Sequence, residues 1–173
     1  MTQIASLPAP AATGESLIDG AYLNAIADLA DSRGPAHFTP GGGILFDSPI
    51  TREERLSLPA PTNSAPRFVD LPQDRFAATL ARRPKFRDFV ANYTVPHLRA
   101  GYRLVVIPIV GGLTADQLRA IASAADAFGH GTLRLTAGVS IRLPNVPTAL
   151  LRPLLRALDA ADLVTAQDLK RAA

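Results

Sequence analysis

Three arginines in the second half of the chain lie on predicted strands, where each could contact an anion. Arg103, Arg134 and Arg142 stand between apolar residues, and successive side chains of a strand point to opposite faces of its sheet. With the apolar residues facing the core, the three guanidinium groups share the open face. A planar guanidinium binds an oxyanion through two parallel hydrogen bonds. Two interpretations stay open: an anion-binding site, or a sheet face that contacts solvent or a partner.

Other catalytic patterns are missing from the sequence. The chain has no cysteine, which excludes disulfides, thiolate metal sites and cysteine nucleophiles. No G-x-S-x-G elbow is present, and the Gly41–Gly43 run lacks the strand and helix that flank a phosphate-binding loop. Glu53-Glu54 is typical of a charged helical turn rather than of a catalytic carboxylate pair. We therefore expect no catalytic residue in this chain.

The histidines do not have the spacing of metal ligands. His37, His97 and His130 are far apart in the sequence, whereas zinc ligands usually occur in closely spaced pairs. His130 stands between two glycines and is predicted to be an exposed turn residue. We expect no metal site.

The net charge of +3 conceals an uneven distribution. Residues 1–66 contain three basic and seven acidic residues, and residues 67–173 contain fifteen basic and eight acidic ones. A basic segment can attract anions, acidic partners or nucleic acid. Nucleic acid is the least expected, because the predicted strands lack the aromatic residues on which RNA-recognition domains stack bases. No apolar run has the roughly 18 residues that span a membrane, and no signal-peptide pattern is present, so we expect a cytoplasmic protein.

The clearest elements lie in residues 101–166. Leu104–Ile109 is typical of a buried strand. Thr114 and Gln117 form a capping-box pattern at the start of a helix, and Gly129 is predicted to be the left-handed residue at its end. Two alternating strands and a leucine-rich helix follow, with a last edge strand at Leu163–Thr165. The order β-α-β-β-α predicts an α+β, ferredoxin-like half-domain with its helices on one sheet face.

The positions that this half-domain should bury follow from the same periodicities. Pro153 suggests that the regular part of the last helix begins late. Ala137-Gly138 is predicted to be either the tight connection between the two alternating strands or a bulge. The predicted core positions are Leu118, Ile121, Ala122 and Ala125 in the first helix, Leu133, Leu135, Val139, Ile141 and Leu143 in the strands, and Leu150, Leu151, Leu154, Leu155 and Leu158 in the second helix.

Residues 14–100 are predicted to be mostly helical or irregular. Apolar residues between Ser16 and Ser32 have helical spacing, and Gly34-Pro35 ends that helix. Prolines in residues 57–72 indicate an extended linker. The remaining predictions for this region are a short strand at Gly43–Phe46 and helical pieces at Gln73–Arg82, with Phe76 and Leu80 inward, and at Pro84–Asn92, with Phe86, Phe89 and Val90 inward. Residues 1–13 are predicted to be a disordered tail and residues 167–173 a C-terminal tail.

Two motifs in residues 102–163 are specific enough to suggest a family. Ile107 to Leu118 read I-P-x-x-G-G-L-T-x-x-Q-L, and Gly129 to Thr136 read G-x-G-x-L-x-L-T. This segment resembles the ferredoxin-like half-domain of nitrite and sulfite reductases. The resemblance implies a half-domain that pairs with a second copy, the pair helping to hold sirohaem and an oxyanion substrate. In that family the cysteines of the iron–sulfur cluster lie in other domains.

The chain departs from this family where the family places its cationic side chains. The third segment of the family typically reads L-T-T-R-Q-N-I-Q-L-R-G. Thr136 keeps the first threonine, whereas the arginine, glutamine and later arginine positions are Gly138, Val139 and Pro144, and the first-strand arginine aligns with Leu104. The resemblance thus implies a kept scaffold with most of the anion site lost. The remaining candidates for contact with an anion or cofactor are Arg103, Arg134, Thr136 and Arg142.

The leading functional hypothesis is a half-domain protein that is non-catalytic alone and serves as an accessory or partner-binding subunit of a sirohaem-type redox complex. The chain is expected to bind no cofactor alone, and sirohaem is possible only at an interface with a partner. A homodimer or a second protein chain is expected on the open sheet, unless the N-terminal hundred residues fold back over it. The alternatives are a split or truncated part of a sirohaem oxidoreductase, active only with a second chain, and a small anion-binding module.

Overall fold

The computed structural model describes residues 5–6, 15–39, 43–60, 76–136 and 140–164. These residues form a three-stranded sheet, a five-stranded sheet and six α-helices. The strands are β1 (Ala5–Ser6), β2 (Glu15–Asp19), β3 (His37–Phe38), β4 (Gly43–Leu45), β5 (Thr94–Pro96), β6 (Tyr102–Pro108), β7 (Thr132–Thr136) and β8 (Ser140–Pro147). The helices are α1 (Gly20–Arg33), α2 (Arg52–Leu56), α3 (Phe76–Arg82), α4 (Pro84–Tyr93), α5 (Ala115–Phe128) and α6 (Leu151–Ala160).

The predicted β-α-β-β-α order is present as β6, α5, β7, β8 and α6, which confirms the α+β fold class. The five-stranded sheet has the order β2-β7-β8-β6-β5, and all its neighbours are antiparallel. The apolar residues that alternate along its central strands are buried: Val105, Ile107, Leu133, Leu135, Ile141 and Leu143. They share one core with α5 and α6. The four predicted inward residues of α5 and, in α6, Leu151, Leu154, Leu155 and Leu158 are buried as expected.

Helix α5 begins as predicted and ends differently. The Thr114 hydroxyl accepts from the amide of Gln117 at 3.2 Å, and the Gln117 side chain accepts from the amide of Thr114 at 3.1 Å. Gly129 is not the left-handed residue, since its φ is −122°. His130 and Gly131 have φ of 59° and 74° instead. The carbonyl of Ala125 accepts from the amides of both Gly129 and Gly131, so the chain leaves the helix one residue later than predicted.

The first turn of the predicted helix from Ser16 to Ser32 is a strand. Strand β2 pairs with β7 over five residues, and α1 begins only at Gly20. The Asp19 carboxylate accepts from the amide of Tyr22 at 2.8 Å, so this residue ends the strand and caps the helix. Leu17 and Ile18 fit a helical period as well as a strand, and the available edge of β7 decides between the two.

Strands from the N-terminal region lie on both edges of the half-domain sheet. Strand β2 covers the edge of β7, and β5 covers the edge of β6. The predicted edge strand at Leu163–Thr165 does not form: Leu163 and Val164 are buried in the core without strand pairing, and Thr165 lies outside the described residues. Because edge amides and carbonyls need partners, β2 and β5 supply the pairing that a lone half-domain would lack.

The rest of the N-terminal region agrees with several predictions. Strand β4 lies within the predicted Gly43–Phe46, α2 is the predicted charged turn, and α4 buries Phe86, Phe89 and Val90. Helix α3 occupies the second part of the predicted Gln73–Arg82 piece, with Phe76 and Leu80 packed against the core. A 3-10 turn, Thr148–Leu150, precedes α6, so Pro153 falls in the first turn of the helix.

Several predictions fall outside the described residues. They concern Ala137-Gly138, Val139, most of the proline-rich linker, residues 167–173, and residues 1–13 apart from Ala5–Ser6, which pair with β4. None of the described helices is both long and apolar enough to cross a membrane.

Candidate functional site

Two arginines lie directly opposite each other at the centre of the five-stranded sheet. Arg134 on β7 pairs in register with Arg142 on β8. Their strand neighbours Leu133, Leu135, Ile141 and Leu143 are all buried against the helices, so both guanidinium groups belong to the opposite face of the sheet. Arg134 is exposed and Arg142 is half-buried. The structure therefore brings together two of the three arginines that the sequence predicted to share a face.

Apolar residues continue this row of side chains on both sides. Leu17 on β2 is the register partner of Arg134, and Val106 on β6 is the register partner of Arg142. Both are half-buried. Leu104 and its β5 partner Val95 extend the apolar surface on the β6 side, where Val95 is 50% exposed. We call the surface made by Leu17, Arg134, Arg142, Val106, Leu104 and Val95 the open sheet face.

Thr136 lies on the same face, two residues beyond Arg134 along β7 and opposite Ser140 of β8. Its hydroxyl oxygen is inaccessible to solvent and has no hydrogen-bond partner among the described residues. A buried hydroxyl without a partner costs about 1–3 kcal/mol.

Arg103 lies on the other face of the sheet, contrary to the prediction that it joins Arg134 and Arg142. Its guanidinium donates to the hydroxyl and the carbonyl of Thr94, and it stacks 5.9 Å from the centre of the Phe76 ring. Thr94 is itself buried beside Val105, on the helix side of the sheet. Desolvation by these neighbours lowers the pKa of Arg103.

The reason for this wrong prediction lies in the sequence of β6. From Leu104 to Ile109 every residue is apolar, so the sequence does not show which alternate set faces the core. In the structure Val105 and Ile107 are buried, and Leu104 and Val106 are half-buried on the open sheet face. Arg103 has the same parity as Val105 and therefore packs under the helices.

The histidines form no metal site among the described residues, in which no group of three or more metal-ligating side chains occurs. His37 lies 3.5 Å from an oxygen of Asp47. His130 differs from its prediction as an exposed turn residue: it is half-buried, and its Nε2 atom is inaccessible without a hydrogen-bond partner in the described part of the chain. Its backbone is left-handed, with a φ of 59°.

Sequence reasoning missed Leu17 as a member of the open sheet face. The spacing of apolar residues predicts a helix at this position, and only the pairing of β2 with β7 places Leu17 beside Arg134. The leucine carries no chemical signal that could have revealed this place in the sequence.

Comparison with known families supports the identity of this region. The family model described as "Nitrite/Sulfite reductase ferredoxin-like half domain" matches residues 98–161. This confirms the resemblance found for residues 102–163, and the match covers less than half of the chain. No curated protein matches the chain significantly.

The structure describes two of the positions at which this chain differs from the polar residues of the family. Leu104, aligned with a family arginine, lies half-buried on the open sheet face, and Pro144 is buried in β8. Gly138 and Val139 lie outside the described residues. Of the predicted contact residues, Arg134, Arg142 and Thr136 share the open sheet face, and Arg103 does not.

Proposed function

Residues 98–161 form a nitrite/sulfite reductase ferredoxin-like half domain, and from this premise we propose that the protein is a partner-binding relative of these reductases that does not catalyse alone. The open sheet face is the docking surface. Its partner is a second protein chain, or a second copy of this chain, in a sirohaem-type redox complex. The single observation that carries the proposal is the cross-strand pair of Arg134 and Arg142, set between apolar residues on the face of the sheet opposite its helices.

The pairing of the outer half-domain strands supports docking through the face. Because β2 pairs with all five residues of β7 and β5 pairs with three residues of β6, much of the hydrogen bonding at these two edges is already satisfied within the chain. The central row of the face combines two cations with Leu17 and Val106. Protein interfaces join apolar contact area to complementary charge, so the fitting partner presents carboxylates among apolar side chains.

The residues on the face also bear on the cofactor question. The guanidinium groups of Arg134 and Arg142 fit an anionic group of a cofactor or substrate at the joint between two chains. The chain has no cysteine to bind a cluster, and its described residues contain no group of side chains that could hold a metal ion. A sirohaem-type complex at this face would therefore need the cysteine ligands of its cluster from the partner.

The same residues favour a second candidate, in which this chain is one part of a split sirohaem oxidoreductase. Thr136 keeps the threonine of the family segment, and its hydroxyl lacks a partner among the described residues. A catalytic chain docked on the face would bring the cysteines. The two candidates differ in whether the assembled complex reduces an oxyanion.

Affinity purification of the full chain from its host tests the proposal. The eluate is analysed by mass spectrometry and visible absorbance, and the self-association of the pure chain by light scattering. The variant pair Arg134→Glu with Arg142→Glu reverses the charge of the face. The matched control, Arg52→Glu with Arg55→Glu, makes the same change on exposed residues of α2.

We expect the wild type and the control to recover the same partner or to form the same dimer, and the Arg134/Arg142 variant to lose it. A cysteine-bearing partner with sirohaem-like absorbance and oxyanion-reducing activity would favour the split enzyme. Recovery of a monomer alone, or equal recovery by all three proteins, would show that the open sheet face is not a docking surface.

A further inference from the structure

A second basic site lies on the helix side of the molecule, where the start of α4 meets α6. A cavity of about 180 Å³ opens there. Its lining combines basic side chains with two core residues and one carboxylate: Arg83, Lys85, Phe86, Arg152, Leu155, Arg156 and Asp159. None of these residues belongs to the open sheet face, so this site is independent of the function proposed above.

The charges around the cavity are not balanced within the described chain. Lys85 lies 2.8 Å from both carboxylate oxygens of Asp159. The side chains of Arg83, Arg152 and Arg156 make no ion pair or hydrogen bond with any described residue. Repulsion from Arg83, and then from Arg156, lowers the pKa of Arg152. Three guanidinium groups thus share one small concave surface, where the single carboxylate among the described lining residues, Asp159, is paired with Lys85.

The start of α4 adds hydrogen-bond donors to the same place. Arg83 occupies the N-cap position but provides no side-chain cap, and the first turn contains no acidic residue. Amides of the first turn have no carbonyl partner within a helix, and the positive end of the helix dipole favours an anion. Pro84 has no amide proton, so the unpaired amides of the first turn belong to Lys85 and Phe86, two residues that line the cavity.

The size of the cavity limits the ligand. Pockets for drug-sized ligands have volumes of about 300–1,000 Å³, and this one has about 180 Å³. Arginine forks match the oxygens of a phosphate group in two-point contact. We propose that the cavity between α4 and α6 binds a phosphate group, either as inorganic phosphate or as the terminal phosphate of a small organic phosphate.

Isothermal titration calorimetry on the full chain tests this proposal. Inorganic phosphate and, separately, glycerol 3-phosphate are added at an ionic strength held constant with chloride. The test variant is Arg152→Gln with Arg156→Gln. The matched control is Arg52→Gln with Arg55→Gln, which removes the same charge from exposed residues of α2.

We expect phosphate to bind the wild type and the control equally, and its Kd to rise at least tenfold in the Arg152/Arg156 variant. Tighter binding of inorganic phosphate than of glycerol 3-phosphate would identify the free ion as the ligand. The reverse order would identify a phosphate ester. Equal Kd values in all three proteins, or no binding beyond that of chloride, would overturn the proposal.

A second measurement separates a binding role from a structural one. If the arginines serve a ligand, the unliganded Arg152/Arg156 variant resists urea as well as the wild type or better, because their mutual repulsion is gone. If the variant unfolds more easily and still binds phosphate with the wild-type Kd, the arginines stabilise the fold and the proposal is wrong.

Discussion

The helix layer has two charged surfaces with opposite arrangements. Between α1 and α5, Arg119 donates to Asp28 at 2.7 Å and also to Asp31. These hydrogen bonds, first to Asp31 and then to Asp28, raise the pKa of Arg119. Between α4 and α6, Arg152 has two other arginines beside it, and its pKa is lowered by repulsion. An arginine is thus surrounded by carboxylates on one helix surface and by other arginines on the other.

The charge of Arg119 is paired within the chain and stabilises the fold. The arginine charges at the α4–α6 cavity are left for an external ligand. The chain contains enough carboxylates to surround Arg119 with two, yet it places one carboxylate beside four basic residues at the α4–α6 cavity. Unbalanced cations raise the free energy of the folded chain. A cluster of this kind is therefore a better indication of an external anion than the count of arginines in the whole sequence.

The largest predicted effects concern the apolar layer beneath both surfaces. Ile121 on α5 and Leu158 on α6 are both fully buried. Ile121→Ala and Leu158→Ala should each lower the free energy of unfolding by about 2–5 kcal/mol, measured by urea denaturation. The exposed Ser123→Ala on α5 is the control and should stay within about 0.5 kcal/mol of the wild type. A loss near zero in either core variant would mean that the two surfaces do not rest on a common core.

The next effects concern the two helix starts. Thr114→Ala removes the hydroxyl that caps α5 and should cost about 1 kcal/mol of unfolding free energy. Arg83→Ser places a capping hydroxyl at the start of α4, which has none, and should stabilise by a similar amount. It should also weaken phosphate binding. If the free energy of unfolding changed in the same direction in both variants, the conclusion that α5 has a side-chain cap and α4 lacks one would be wrong.

Smaller effects should follow from single charge removals. Arg119→Gln is expected to lower the urea midpoint at low salt, because two carboxylates lose their partner. Arg152→Gln is expected to raise it, because repulsion is relieved. Both shifts should shrink at about 1 M salt, where the screening length is about 3 Å. If both variants shifted the urea midpoint in the same direction at low salt, the two surfaces would not differ in charge balance as described.

The smallest effect should appear in the pH dependence of stability. The hydrogen bond from Arg119 lowers the pKa of Asp31 in the folded chain. Its stabilisation is therefore complete above the unfolded-state pKa of about 3.9 and is lost as pH falls through the folded-state value. Asp31→Asn should reduce the loss of stability between neutral and acidic pH, measured by urea midpoints. An unchanged acid profile would show that this pair contributes nothing.

Local features were predictable because the residues that make them are close in sequence. The capping box of α5 needs only Thr114 and Gln117, and both of its hydrogen bonds form. The inward stripe of α5 and the alternation in β7 follow from the helix and strand periods. The half-domain resemblance, which combines these local patterns in a fixed order, was found for the same reason and is matched by residues 98–161.

Features that depend on which strands are neighbours were not predictable. The strand at Leu17 and Ile18 forms because β7 offers an edge, and Arg103 lies under the helices because Val105 faces the core. The cavity between α4 and α6 was missed for a similar reason, since Arg83 and Arg156 are separated by more than 70 residues in the chain. Nothing in the sequence indicates that these basic side chains are close together in the fold.

The sequence by itself determined the start of α5, the alternation of the central strands, the absence of thiolate chemistry and the half-domain order, because each depends on residue types at short spacings. Only the tertiary structure decided which arginines meet. It placed Arg134 opposite Arg142, moved Arg103 to the other face and gathered Arg83, Arg152 and Arg156 around one cavity. Strand register and helix packing bring together residues that are distant in sequence. The residues next to an arginine in the sequence do not show which face of the sheet it will occupy.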